Sequence, residues 1–134
     1  MIPNYSSQTN IYSVGEPAVD MQHRRILQMM ENLRSAVEAA NGQDGDRQVV
    51  EEVLRGMLEY ARGHFADEEV LLRAHLTPAA LRVHQQQHDA FLRQAFALHI
   101  DLHAGRAHLN EAVLQFLQDW VTHHILESDK VAFS

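Results

Sequence analysis

The sequence contains no cysteine, and this absence excludes disulfide bonds, thiolate metal sites and thiol nucleophiles. It also fits a reducing compartment, so we expect a cytoplasmic protein. No stretch approaches the roughly 18 uninterrupted apolar residues of a membrane-spanning helix. The first ten residues have neither the basic nor the apolar run of a signal peptide. A formal net charge of −7 argues against nucleic acid, whose phosphates repel an acidic protein. We therefore expect neither membrane insertion nor a nucleic-acid partner.

Histidine is the residue that the chain has in excess, with 10 in 134 residues. The apolar fraction of 46% and the charged fraction of 22% are ordinary for a globular protein. The length predicts one domain that covers residues 1–134. Neutral imidazole is a common ligand of transition metals, but exposed histidine is also common. The positions of the histidines along predicted helices must therefore decide their role.

Four segments of helical length are separated by three stretches rich in turn-forming residues, at 41–46, 74–78 and 103–106. Thr77 and Pro78 form a favourable helix start, with a capping hydroxyl and proline in the first turn. We predict an extended N-terminal arm at 1–16 and helices at about 18–40, 46–73, 78–103 and 108–130. Short connections between four such helices favour an all-α fold, an antiparallel up-down-up-down four-helix bundle.

Histidine and carboxylate side chains lie on the apolar stripe of each predicted helix. On a wheel of about 100° per residue, His88 lies about 40° from His84 and Glu68 about 40° from His64, whereas Glu69 lies about 140° from His64. His23 and His124 continue the stripes of the first and fourth helices. The predicted inward-facing set is therefore His23, His64, Glu68, His84, His88 and His124.

Other polar residues with similar spacing are predicted to face away from the core. His99 and His103 form a second i,i+4 pair that falls off the apolar face, and His123 lies about 100° from the fourth stripe. Asp129 is ambiguous because it lies about 140° from His124 on an α-helical wheel. It turns inward only if the helix frays or if its side chain reaches from the level below.

The number of inward donors argues against ordinary core residues. A single inward histidine is more often a hydrogen-bonded core residue, and one i,i+4 pair arises easily by chance. Burying Glu68 as an anion, however, is costly unless a cation compensates its charge. With Asp129 included, five imidazoles and two carboxylates exceed the about four ligands of one zinc ion. Two octahedral ions that share both carboxylates would use the whole set.

The ordered pattern His, HxxxE, HxxxH and HxxxxD resembles the hemerythrin family, and most closely the bacterial hemerythrins. The matching segments are Val19-Asp-Met-Gln-His23, His64-Phe-Ala-Asp-Glu68-Glu69, His84-Gln-Gln-Gln-His88 and Trp120-Val-Thr-His-His-Ile-Leu-Glu-Ser-Asp129. The resemblance in their order and spacing covers roughly residues 11–134, nearly the whole chain. One motif alone is weak, but four in this order on four helices are specific.

This resemblance implies a non-haem di-iron centre. One iron ion would be bound by His84, His88 and His124 and the other by His23 and His64, with Glu68, Asp129 and a solvent-derived oxo or hydroxo group as bridges. The first ion would then have six ligands and the second five, which leaves one position for dioxygen. The resemblance therefore implies reversible dioxygen binding by a carrier or store rather than an enzyme. We expect a monomer that delivers dioxygen to an unidentified oxygen-consuming partner. Ile125, Leu27 and Trp120 are expected to line a dry pocket around the open position.

Three alternatives remain at this stage. A di-iron oxidase or ferritin-like ferroxidase typically uses Glu-x-x-His on two helices, and no glutamate in this sequence has a histidine three residues later. A sensor of oxygen, nitric oxide or redox state could use the same site, but no output domain is apparent. A metal-free bundle is the third alternative.

Overall fold

The computed structural model describes residues 13–40, 44–106, 109 and 111–134. Residues 1–12 of the predicted N-terminal arm lie outside the described residues. The remainder of the arm, 13–16, is non-helical, and the carboxylate of Asp20 fixes it to the first helix. This carboxylate accepts hydrogen bonds from Ser13 Oγ at 2.8 Å and from the Val14 backbone N–H at 2.7 Å.

The described residues form an all-α, antiparallel four-helix bundle, as the sequence predicted. The helices are α1 (Pro17–Ala40), α2 (Asp44–Leu72), α3 (Pro78–His103) and α4 (Glu111–His123). A π-helical segment, His124–Asp129, continues α4 and is followed by a short α5, Lys130–Ala132. The predicted fourth helix therefore begins later than expected, and its last part is not α-helical.

Local sequence signals account for both ends of α3. The Thr77 hydroxyl accepts a hydrogen bond from the Ala80 backbone N–H at 3.2 Å, and Pro78 opens the first turn. At the other end, Gly105 has a φ of +76°. Arg106 N–H donates to the Asp101 carbonyl at 2.8 Å and Gly105 N–H to the Leu102 carbonyl at 3.1 Å. This is a Schellman motif, which satisfies the last carbonyls and ends the helix.

Two apolar clusters lie on either side of the polar centre. The larger runs along the bundle interior and includes Leu54, Leu58 and Leu117. The smaller one joins Val19, near the start of α1, to Leu72, at the end of α2, and includes Phe133. Because neighbouring helices run in opposite directions, the end of α2 lies level with the starts of α1 and α3. The polar donors near these helix ends therefore meet at one level of the bundle.

The apolar side of α2 extends past His64 through Leu72. Leu72 is fully buried, whereas the adjacent Leu71 is 37% exposed. Leu72 lies eight residues after His64, so both fall on one side of the helix. Among the described residues, no helix combines the length and apolarity needed to cross a membrane.

Candidate metal centre

The seven donors proposed from the sequence converge in the interior of the bundle. The most exposed is His124 at 6%, and Glu68 and His88 are completely buried. Each helix contributes at the same level: His23 from α1, His64 and Glu68 from α2, His84 and His88 from α3, and His124 and Asp129 from the π segment. The six side chains that were predicted to face inward are all buried, and so is Asp129, whose orientation the helical wheel left open.

The seven donors form two groups that share both carboxylates. One group has five members, Glu68, His84, His88, His124 and Asp129, and the other has four, His23, His64, Glu68 and Asp129. Within each group the potential ligand atoms all lie within 4.8 Å of one another. The five-donor group contains the three histidines expected at one ion and the four-donor group the two expected at the other, and the assignment of ligands to ions stays a prediction.

The two oxygens of Glu68 face different groups. Oε1 lies 3.0 Å from His84 Nε2 and 3.3 Å from His88 Nε2. Oε2 lies 3.3 Å from His23 Nε2 and 3.2 Å from His64 Nε2. One carboxylate thus presents one oxygen to each group, the arrangement that a bridging ligand requires.

Asp129 repeats this division. Its Oδ1 lies 2.7 Å from His84 Nε2 and 3.0 Å from His124 Nε2, on the five-donor side. Its Oδ2 lies 3.0 Å from His23 Nε2, on the four-donor side. Both carboxylates are therefore placed between the same two sets of imidazoles.

The π segment explains why Asp129 faces inward. On an α-helix a residue five positions after His124 would point to another side. From the sequence, a frayed helix end or a long side-chain reach was expected to turn Asp129 inward. The structure has neither. The backbone N–H of Lys130 bonds the carbonyl of Ile125, five residues earlier, which is the π-helical pattern. This wider turn brings residues five apart onto one side and so aligns Asp129 with His124.

Mutual interactions in the metal-free cluster shift several pKa values. Burial lowers the pKa of His23 and His84, but hydrogen bonds and charges from Asp129 and Glu68 outweigh burial and raise both to about 9. Burial alone would raise the pKa of Glu68 and Asp129, yet hydrogen bonds from surrounding histidines hold both below their usual range. The paired carboxylates thus need nearby cations, which are imidazolium ions when no metal is bound.

The orientation of His64 is set by a residue that the sequence argument did not single out. Gln22 donates through Nε2 to Asp67 Oδ2 at 2.9 Å, which leaves its Oε1 facing His64 Nδ1 at 2.7 Å. The amide oxygen only accepts, so His64 Nδ1 carries the proton. Nε2 of the neutral ring then directs a lone pair toward Glu68 Oε2. A lone pair and a carboxylate repel each other unless a cation lies between them.

Glu69 orients His88 in the same way. Its Oε2 lies 2.8 Å from His88 Nδ1, so this nitrogen donates and Nε2 of the neutral ring faces the centre. That Nε2 lies 2.9 Å from His124 Nε2 and 3.3 Å from Glu68 Oε1. Neutral imidazoles with outward hydrogen bonds are the usual form of metal-binding histidine. The donor set and its orientation therefore fit iron, which accepts both imidazole nitrogen and carboxylate oxygen.

The sequence contained only indirect signals for Gln22 and Glu69. Each is adjacent to a proposed ligand, in the pairs Gln22-His23 and Glu68-Glu69. Each contacts a histidine on another helix, however, and a wheel drawn for one helix does not show which neighbour lies opposite. Glu69 was correctly placed away from the inward face, and it reaches His88 on α3 from there.

The three histidines that were predicted to face away from the core, His99, His103 and His123, lie outside both donor groups. The side chains of His103 and His123 are 77% and 69% exposed. His103 pairs with Glu51 at 3.0 Å, and His123 lies 3.8 Å from Glu127. His99 is half-buried and lines a surface pocket with His103. Their predicted exclusion from the inward set agrees with the structure.

Aromatic rings cover the five-donor side. Phe65 stacks on His88 with ring centroids 4.0 Å apart, and Trp120 stacks on His124 at 4.6 Å. Phe91 stacks in turn on Trp120 at 4.1 Å. These rings replace solvent around the imidazoles, which strengthens electrostatic interactions within the centre.

An apolar cavity of about 10 Å³ has His64, a member of the four-donor group, in its wall together with the rings of Phe65, Phe91 and Trp120. That volume is at the lower limit for one water molecule, and the apolar wall offers water few partners. Leu27 and Ile125 are buried in the same core, at 1% and 3% exposure, but they are not among its lining residues in the described part of the chain.

The lining residues that replace them are close in sequence. Ile26, one position before Leu27, faces the cavity, as does Val121, one helical turn before Ile125. The lining of the pocket around the open iron position by Ile125, Leu27 and Trp120 stays a prediction. Which residues of a helix face the cavity depends on the rotation and height of the neighbouring helices.

Comparison with known proteins agrees with this geometry. The family model for the hemerythrin HHE cation binding domain matches residues 14–134. The bacteriohemerythrin of Methylococcus capsulatus is 28% identical over 112 residues, which cover 84% of this chain and 81% of that protein. A hemerythrin-like protein of Naegleria gruberi is 22% identical over 129 residues, 96% of this chain and 91% of that one. A crystal structure of wild-type hemerythrin superposes with a TM-score of 0.74 at 27% identity, covering 86% of this chain and 84% of the other.

Proposed function

Because this chain belongs to the hemerythrin family, we propose that it binds dioxygen reversibly at a di-iron centre, as an oxygen carrier or store. Hemerythrins are generally oxygen-binding proteins rather than enzymes. The observation that carries the proposal is the pair of unequal donor groups, one of five and one of four, that share Glu68 and Asp129. The inequality leaves the smaller group with room for one more ligand.

The proposed roles follow from the two groups. His84, His88 and His124 would hold one iron ion, His23 and His64 would hold the other, and Glu68 and Asp129 would bridge them. Iron, when bound, supplies the electrons that make dioxygen binding reversible. The side chains of Gln22 and Glu69 hold the protons of His64 and His88 on the outward nitrogens, so both inward nitrogens remain available as ligands.

The apolar cavity supports binding on the four-donor side. It adjoins His64, a member of that group, and its wall includes Ile26, Phe91 and Val121. Dioxygen is small and apolar, so this wall favours it over water. Excluding water and protons also limits irreversible oxidation of the centre, because side reactions of reduced oxygen need both.

The test is the visible and near-ultraviolet spectrum of iron-loaded protein, together with its iron content. We expect about two iron ions per chain and an oxygenated spectrum that disappears under argon and returns in air over repeated cycles. His84→Ala should lose iron and colour. The matched variant His99→Ala, on the same helix but outside both donor groups, should keep both.

Two other results would point elsewhere. Protein made with ample iron that contains one zinc ion or no metal would overturn the di-iron proposal. Rapid loss of the spectrum in one cycle, with fast oxidation of an added substrate, would favour a di-iron oxidase. An oxygen sensor with the same centre would give the same spectrum. A carrier differs from a sensor in that oxygenation should not change its association with other proteins.

A further inference from the structure

Two separate cavities in the structure share one lining residue, Trp120. The first is the apolar cavity of about 10 Å³ beside His64. The second is a surface pocket of about 380 Å³ between α3 and the junction of α4 with the π segment, with Phe116 and Gln87 in its wall. Within the described part of the chain, no other residue lines both. The indole of Trp120 therefore lies in the wall between solvent and the buried cavity.

The two sides of this wall differ in character. The surface pocket includes exposed polar groups such as His123 and Glu127, and it is open to water. The buried cavity has an almost entirely apolar lining that includes Phe65 and Phe91. A molecule that moved from one to the other past Trp120 would leave water and arrive next to His64, on the four-donor side of the centre.

We propose that Trp120 is the gate through which dioxygen passes from the surface pocket into the apolar cavity. This inference rests on the proposed function, since it assigns a route to the ligand of the same centre. Trp120 is itself partly exposed. Its described ring contacts are stacking on Phe91 and His124 and an edge contact with Phe65. Ring contacts are individually modest and tolerate displacement better than directed hydrogen bonds, so the indole can move aside while its neighbours stay in place.

Another surface pocket does not offer this route. A pocket of about 500 Å³ lined by Arg47, Glu51, His99 and His103 shares no residue with the apolar cavity. Its lining is charged, and none of the seven proposed metal ligands contributes to it. The pocket at Trp120, in contrast, already reaches the proposed ligand His124.

A gate changes the rates of binding and release without changing the equilibrium, and this property gives the test. Trp120→Phe keeps an apolar ring in the wall but removes part of its width. In iron-loaded, reduced protein we expect the association and dissociation rates of dioxygen, measured by stopped-flow absorbance, to rise together, each by about tenfold. A tenfold rate change corresponds to about 1.4 kcal/mol in the barrier. Phe116→Trp, which narrows the surface pocket only, should slow both rates.

Phe96→Leu is the matched control for loss of aromatic volume, because Phe96 packs against the core and beneath Arg62 without lining either cavity. It should leave both rates unchanged. Unchanged rates in Trp120→Phe, or a Kd that shifts with one rate alone, would overturn the gate. Nitric oxide, also a neutral diatomic, provides a second probe of association with reduced iron. If nitric oxide binding accelerates in Trp120→Phe while dioxygen fails to bind reversibly, the gate stands and the proposed carrier function fails.

Discussion

Removing the carboxylate of Glu69 should weaken iron binding although Glu69 is not a proposed ligand. Its Oε2 lies 2.8 Å from His88 Nδ1, and its side chain is 21% exposed. A hydrogen bond to a charged partner contributes about 1.5–3 kcal/mol, and partial exposure places this one toward the lower end. Loss of such an orienting partner typically costs about 10–100-fold in metal affinity, and tenfold corresponds to about 1.4 kcal/mol. We therefore expect Glu69→Ala to lower iron affinity by about tenfold or somewhat more.

Substitution with glutamine separates charge from hydrogen bonding. Glu69→Gln keeps an acceptor for the His88 Nδ1 proton, and a neutral hydrogen bond contributes about 0.5–1.5 kcal/mol. Its loss of affinity should therefore be intermediate. The assay is competition with a ferrous chelator under anaerobic conditions, with Glu127→Ala as control because Glu127 is exposed and lies 3.8 Å from the exposed His123. Wild-type affinity in Glu69→Ala would refute the idea that this carboxylate orients the ligand.

Three shorter predictions concern the register of the last helix, the charge balance and the cavity. His124→Ala should abolish much of the iron content measured by metal analysis, whereas His123→Ala should not, and the reverse pattern would show that the register is wrong. In metal-free protein the raised pKa values of His23 and His84, about 9 against an ordinary 6.5, contribute stability that is complete below pH 6.5 and is lost as pH rises through 9. The melting temperature of the metal-free protein should therefore fall across this interval. The melting temperature of the iron-loaded protein should be higher and depend less on pH, because metal replaces the protons. Parallel plots of melting temperature against pH for the two forms would contradict this. Val121→Thr places a hydroxyl in the apolar cavity at nearly constant volume and should accelerate autoxidation followed by absorbance, and an unchanged rate would show that dryness of this wall does not matter.

Helical periodicity was sufficient to identify six of the seven inward donors, all except Asp129. An α-helix repeats its orientation closely enough over four residues that HxxxE and HxxxH each place two donors on one side. The excess of such donors over what a single ion needs then indicated a shared site. The same reasoning separated His124 from His123 and Glu68 from Glu69, because adjacent residues differ by about 100°. These predictions required only the geometry of individual helices.

Contacts between helices were beyond that reasoning. Glu69 reaches His88, and Gln22 reaches His64, but which residues of neighbouring helices meet depends on their relative height and rotation. A helical wheel contains neither quantity. The same limitation applies to the apolar cavity, whose lining by Val121 and Ile26 depends on how the helices meet.

The π segment shows how one departure from regular geometry supports the whole centre. A regular α-helix from His124 onward would place Asp129 away from the core. Each of the two donor groups would then lose one of its two carboxylates. The i→i+5 bond between Ile125 and Lys130 widens one turn and brings the carboxylate back into line. A π-helical turn is less favourable than a regular α-helical turn, and helix propensity does not compensate for this difference. The π segment must therefore be stabilised by tertiary contacts. The contacts of Asp129 with His23, His84 and His124 are such contacts in the metal-free cluster, and bound metal would add to them. The backbone irregularity and the polar centre therefore depend on each other.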